Sequence, residues 1–392
     1  MVVLANSLRS VPGSTSVAGV TTPQPPKLEF IDALRGFAAL YVLSFHFSLI
    51  TDPRAVAPRW LAPFTAFGGS GVTLFFVVSA FTLCLSMDTR KENEATPLLN
   101  YIIRRFFRIA PLFYLWIVIY CIRDWAFYGV QHSVSEIARS VFFLLNLSPG
   151  KEQGFVWASW TIGVEMLFYV LFPAIFRVAS NVGRAGALFL FALLLRAAWH
   201  ATVPVLVNDP SAANTYFNLS LLYHLPTFVF GICVYRIYRL MDLSAASRFG
   251  IGHLLVGGAI VVLISISYGL IPFGAVDPLT IEAINYGVLL LGLSVSSPRL
   301  LVNPVTRFYG KISYSVYLCH AVTIYSLSKV FAAIYHTVPY VSVSYGLSVA
   351  LALALVTLIS CITYRLIETP GNLLGRAIIR FKRTNRHNAS PV

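Results

Sequence analysis

Ten apolar runs, each near the roughly 20 residues that a helix needs to cross the hydrocarbon of a bilayer, occupy most of the chain between residues 31 and 364. They lie near 31–50, 70–87, 109–128, 159–178, 185–205, 217–236, 251–272, 279–297, 312–332 and 342–364. Inside lipid every backbone N–H and C=O must find its partner within the segment, so runs of this length form helices. The expected fold class is all-α: a polytopic integral membrane protein of about ten transmembrane helices. The surplus apolar surface agrees, with 57% of residues hydrophobic and 11% charged, against about 25% charged in ordinary soluble domains.

The net charge of +14 would, in a soluble chain, raise the question of nucleic acid. Here the basic residues sit between apolar runs rather than on one face, so they report topology and no nucleic-acid partner is expected. An even number of spans puts both termini on one side. That side collects 21 of the 29 Lys and Arg and the other side 7, with Arg35 left inside the first span. By the positive-inside rule both termini are expected in the cytoplasm. The five cysteines all fall in apolar runs without C-x-x-C spacing, which indicates neither a disulfide framework nor a zinc site.

Residues 1–27, rich in Ser, Thr, Pro and Gly, lack the continuous apolar core of a signal peptide and read as a disordered cytoplasmic tail. The first span then doubles as an uncleaved insertion signal. Residues 28–376 read as one membrane domain and 377–392 as a basic cytoplasmic tail. Between the third and fourth spans lies an apolar stretch too short to cross, within "VQHSVSEIARSVFFLLNLSPGKEQGFVWAS". It is expected at the outer interface or folded back as a lid.

Against this apolar background the ionisable groups stand out, because a charge or imidazole in hydrocarbon is retained only where it pairs, faces water or handles substrate. In "IDALRGFAALYVLSFHF", Arg35 and His46 are eleven residues apart, about three helical turns and about 16 Å of rise. They therefore share a face, with the arginine toward the cytoplasm and the histidine deep in the membrane. Asp32 sits three residues before Arg35, where a structural ion pair is available. In "NYIIRRFFRIAPLFYLW", Arg105 and Arg108 also share a face and suit a phosphate, with Arg104 pointing elsewhere. Glu165, inside "ASWTIGVEMLFYVLFPAIF", needs a positive partner or a proton, for which Arg35 and His46 are candidates. Ser79 in "GGSGVTLFFVVSAFTL" is a polar liner candidate. "YGKISYSVYLCHAVTIY" brings Tyr314, Tyr317 and His320 into one span, and "YRLIETPGNLLGR" ends the last span with Glu368. Walker, G-x-S-x-G and H-E-x-x-H motifs are absent.

These motifs, in this order, resemble the acyltransferase 3 family of integral membrane O-acyltransferases, which includes O-antigen and exopolysaccharide acetylases. The similarity runs from about residue 28 to about residue 376. Arg35 and His46 match the family's Arg, ten residues, His element. "FFVVSAF" matches FF-x-x-S-G-F with Ala80 in place of glycine, and Arg105, Arg108, Ile109 and Pro111 match R-x-x-R-I-x-P. "WTIGVEMLFY" matches W-S-L-S-V-E-E-Q-F-Y, with Glu165 at the first carboxylate and Met166 where a second is common. "ISYSVYLCH" and "YRLIETP" match the late elements.

The resemblance implies a multi-pass protein of the cell (inner or plasma) membrane. It implies an acyl-CoA donor, usually acetyl-CoA, taken from the cytoplasm, and an acceptor hydroxyl on a carbohydrate or lipid-linked sugar. No metal is required, because the thioester supplies the energy. On this reading His46, Arg35 and Glu165 are catalytic: His46 acts as general base or first nucleophile, and Arg35 and Glu165 orient its ring. Arg105, Arg108, Ser79, Tyr314 and His320 bind substrate or donor, and the arginines and His46 face one shared tunnel. The rival expectation is a proton-coupled transporter or exporter of a small or lipid-linked substrate, since intramembrane Arg, His and Glu also build proton paths.

Overall fold

The computed structural model describes residues 28–90, 94, 96–242, 245, 250–271 and 277–388, and among these every regular element is helical. A helix lies at each of the ten expected spans: α1 (Glu29–Ile50), α2 (Gly71–Arg90), α3 (Pro97–Tyr128), α4 (Trp160–Val178), α5 (Val182–Leu206), α6 (Leu221–Leu240), α7 (Ile251–Ser267), α8 (Pro278–Val295), α9 (Ser313–Ser326) and α10 (Val341–Thr363). Among the described residues, eight helical stretches are long and apolar enough to cross a membrane. The run expected at 312–332 is instead two helices, α9 and Ser328–Thr337, bent by 57° at their junction. The run expected at 251–272 yields only the 17 residues of α7. The expected N-terminal tail lies outside the described residues, and residues 377–388 continue the helix Thr369–Asn388.

Local chemistry sets several of the boundaries. Asp277 caps α8 by accepting from Thr280 N–H, with Pro278 at the first helical position, and the same carboxylate holds Arg196 of α5 in a bidentate pair. Asn181 and Ser220 cap α5 and α6 in the same way.

The helices differ in what they face. The most apolar window of the α2 stretch, Ala62–Arg90, is 67% buried inside the protein, and that of α5 only 17%. So α2 and α6 are central, whereas α5 turns Leu190, Phe191 and Leu194 outward, where lipid replaces water as the solvent for apolar side chains. Phe76 (α2), Phe168 (α4) and Phe228 (α6) stack ring on ring in the core, at centroid distances of 4.4 and 4.0 Å.

A short helix absent from the sequence reading, Pro304–Lys311, is built by a capping box between Asn303 and Thr306 and packs along α1. The contact is backbone on backbone. A Cβ added at Gly310 would meet the Asp32 carbonyl oxygen at 1.7 Å, and one at Gly36 would meet the Thr306 carbonyl at 2.2 Å. Backbone atoms cannot swing aside, so Gly310→Ala must push the two helices apart, an overpacking cost of about 1–3 kcal/mol. Its thermal transition in detergent is expected several degrees below wild type, while Gly346→Ala, which faces open space, leaves it unchanged. Equal transitions for the two variants would refute this account of the seam.

Candidate functional site

A cavity with about 1110 Å³ of atom-free space, its mouth included, opens among α1, α2, α3, α4 and α9. One face of α2 lines it from Val72 to Arg90, which is about 27 Å of helix. Along that face Ser79, Thr82, Ser86 and Arg90 follow one another at three- and four-residue steps, a polar stripe on an apolar helix. Of this stripe the sequence reading singled out Ser79 alone, although the spacing was there to be read.

One end of the cavity is strongly cationic. Arg35, Arg90, Arg105 and Arg108 all line it, and none of the four makes an ion pair with a described residue. Five other arginines are matched: Arg104 forks onto Glu94 at 2.7 and 3.1 Å, Arg123 pairs with Asp124, Arg196 with Asp277, and Arg236 and Arg239 with Asp88. Arg104 thus turns away from the cavity, as its position beside Arg105 requires. The Arg105 guanidinium lies over the rings of Tyr101 and Tyr169, at 6.0 and 5.8 Å, and its Nε is buried without a hydrogen-bond partner.

Glu165 lines the middle of the cavity. Its Oε1 accepts from Ser79 at 2.6 Å and from Tyr169 at 2.5 Å. Its hydrogen-bond partners are therefore hydroxyls, and neither Arg35 nor His46 is among them. Tyr314 also lines the cavity, while its hydroxyl donates to the Ile109 carbonyl at 2.8 Å and so ties α9 to α3. Below it, a π-helical turn at Tyr364–Glu368 swings Glu368 inward, 3% exposed, to accept from Ser315 at 2.9 Å. Such turns re-aim one side chain per extra residue.

The ion pair expected between Asp32 and Arg35 is not formed. The guanidinium instead lines the cavity, together with Arg108 and Glu165. Asp32 contributes its backbone to the seam with Gly310 instead.

The histidines occupy a separate place. His46 Nδ1 lies 3.0 Å from the Val42 carbonyl and 3.1 Å from His320 Nε2, and His320 Nδ1 lies 2.6 Å from the Tyr317 carbonyl. A carbonyl only accepts, so each Nδ1 carries a hydrogen. His320 Nε2 is then the acceptor for the His46 Nδ1–H, and His46 Nε2 keeps the lone pair. The sequence reading missed this pairing, which joins positions 274 apart, and gave the orienting role to Arg35 and Glu165. Neither imidazole lines the cavity. His320 is 1% exposed, and the tunnel expected to be shared by the arginines and His46 is not seen: the cavity lined by the arginines includes Tyr317 and Phe75 but not His46. Tyr317 touches both regions: it lines the cavity, and its ring centroid is 5.6 Å from that of His320.

The stretch between α3 and α4 is a compact fold of its own rather than a span. It holds a capped helix, Val134–Val141, a 3₁₀ turn, and ties to α3 (Tyr114 hydroxyl to Val141 carbonyl, 2.9 Å) and to Leu219 (from Asn146, 2.7 Å). On its surface the Lys151 ammonium, at 2.8 Å, together with the Ser133 N–H, holds the Glu136 carboxyl down to about 2. All five cysteines are free.

ExoZ of Rhizobium meliloti (strain 1021), an exopolysaccharide production protein, is 27% identical over 322 residues, covering 79% of this chain and 91% of ExoZ. A provisionally named acetyltransferase of the Acidianus two-tailed virus is 27% identical over 302 residues, 74% of this chain and 81% of that protein. The peptidoglycan O-acetyltransferase OatA of Listeria monocytogenes is 27% identical over 205 residues, 46% of this chain and 30% of OatA. No solved structure matches at comparable stringency. Residues 28–365 match the "Acyltransferase domain" of the acyltransferase 3 family, and with that match over most of its length the chain belongs to this family of integral membrane enzymes that transfer acyl groups.

Proposed function

We propose that the protein moves an acyl group, an acetyl in the first instance, from acyl-CoA to a hydroxyl of a carbohydrate or lipid-linked sugar, with His46 as the general base. The observation that carries this is the set of four arginines, Arg35, Arg90, Arg105 and Arg108, that line one cavity without a carboxylate partner among the described residues. Unmatched guanidinium groups held this close repel one another and are costly to desolvate. They favour a polyanion, and the phosphates of coenzyme A supply one, accepting forked hydrogen bonds from Arg105, Arg108 and Arg90.

The rest of the lining fits the same donor. A pantetheine arm is slender and carries amides, and the cavity offers it the hydroxyls of Thr82, Ser86 and Ser313, the last buried with no partner among the described residues. The 27 Å stripe gives the arm room to cross from the charged end toward the histidines. On this reading that end faces the cytoplasm of a cell (inner or plasma) membrane, where acyl-CoA is found, and the positive-inside charge pattern supports it. The carbohydrate acceptor is carried over from the two relatives named for exopolysaccharide and peptidoglycan.

In the reaction His46 Nε2 takes the proton of the acceptor hydroxyl as its oxygen attacks the thioester carbonyl. The tetrahedral intermediate collapses, and the coenzyme A thiolate leaves and takes up that proton. His320 orients the base through its Nε2, and Arg35 and Glu165 set the field in which the donor lies.

Purified protein in liposomes, given acetyl-labelled acetyl-CoA and a lipid extract of its host, is expected to yield label covalently bound to an acceptor and released by mild base. Accumulation of an unmodified solute inside the vesicles, without such label, would favour the proton-coupled transporter instead.

A further inference from the structure

General-base attack leaves one requirement unmet. The thioester carbonyl oxygen gains charge as the acceptor adds, and removing one well-placed hydrogen-bond donor from such a site costs about 10²–10³ in turnover. Arginines at the phosphate end are too far along the cavity to serve, and His46 and His320 have both Nδ1 hydrogens committed.

Resting on the acyl-CoA reading, we infer that the Tyr317 hydroxyl is this donor. Tyr317 lines the cavity, 7% exposed and in edge contact with Phe75, whose ring centroid is 5.8 Å away. Thr161 donates to its oxygen at 2.8 Å. The Tyr317 oxygen is therefore already an acceptor, and its own hydrogen goes to no acceptor among the described residues, so it remains for a ligand in the cavity. Thr161 is 6% exposed and lines the same cavity, so the hydroxyl is aimed before substrate arrives.

The same residue fixes the base. Its backbone carbonyl holds His320 Nδ1–H at 2.6 Å, and His320 Nε2 holds His46 at 3.1 Å. One turn of α9 thus carries both the donor for the oxyanion and the anchor for the imidazole pair. Donor side and base side meet at this residue, where the acyl carbon must sit. As the acceptor oxygen bonds to carbon, the carbonyl π pair moves onto oxygen and is met by Tyr317 O–H. As the intermediate collapses, that pair returns and the C–S bond breaks, with no net proton change at Tyr317.

The test is Tyr317→Phe in full-length protein, assayed with labelled acetyl-CoA. The ring, and with it the packing on Phe75, is kept, and the hydroxyl is lost both as donor and as the acceptor of the Thr161 bond. Turnover is expected to fall about 10²–10³-fold with KM for acetyl-CoA within about twofold, because the hydroxyl acts on the transition state rather than on the bound thioester. Thr161→Val, which removes the hydrogen bond that aims the hydroxyl together with the 3.1 Å bond from Thr161 to the Ala158 carbonyl, is expected to lower turnover about tenfold and serves alone if Tyr317→Phe does not fold. Wild-type turnover in whichever variant folds, or a rise in KM with turnover unchanged, would overturn the inference. Absence of labelled product from wild type would instead remove the acyl-CoA reading, so the two failures are distinguishable.

Discussion

Replacing His46 with alanine is expected to abolish acyl transfer, with turnover falling about 10²–10⁴-fold while the protein retains its thermal transition. On the proposed reading the alanine removes the general base. Val42 and His320 both engage Nδ1, which in the neutral imidazole leaves the lone pair on Nε2. Packing loss is small, since His46 is only partly buried and lies edge-on to Phe45 and His320. His320→Ala keeps Nε2 but frees the ring, and it should fall between His46→Ala and wild type. The readout is initial rate with saturating acetyl-CoA. A His46→Ala enzyme that turns over as wild type does would remove the base from the scheme.

The double variant Arg105→Gln, Arg108→Gln carries the second large effect, and it falls on affinity. A hydrogen bond from a charged group contributes about 1.5–3 kcal/mol, so two arginines together account for about 3–6 kcal/mol of donor binding. That corresponds to a KM for acyl-CoA raised by about 10²–10⁴. Turnover at saturation is expected to stay near wild type, because phosphates bound far from the reacting carbon are held equally in ground and transition states. Arg104→Gln is the matched control. It lies next in sequence to Arg105 but is spent on Glu94, so its KM is expected unchanged. Equal effects at Arg104 and Arg105 would mean that the cluster acts only as a diffuse field. Dephospho-CoA thioesters, lacking one phosphate, should lose less on the double variant than the full donor does.

Most of the architecture could be read directly from residue order. The apolar runs near 31–50 and 70–87 became α1 and α2, because the cost of placing a segment in lipid is nearly a sum over its own residues. The arginine pair at 105 and 108 could be placed on one face because helical geometry relates neighbours three apart without reference to the rest of the chain.

The bend after Ser326 escaped that reading, since mean hydropathy is the same for a straight span and a broken one. So did the helix Pro304–Lys311, which is too short to carry a periodic signal and is announced only by Asn303, Pro304 and Thr306. Asp32 misled for a related reason. Spacing made an ion pair with Arg35 available, but spacing is silent about the cavity that draws the guanidinium away.

What the sequence determined by itself was a helical membrane protein with a basic cluster at one end of its bundle and an imidazole about 16 Å beyond Arg35 along its first span, because hydrophobic length, charge position and helical rise are properties of local sequence. Only the tertiary structure decided that His46 leans on His320, that Glu165 is held by Ser79 and Tyr169, and that the cavity is lined by Tyr317 and by neither imidazole. Those choices depend on how far each helix is rotated about its own axis, and rotation is set by close packing against helices distant in the chain.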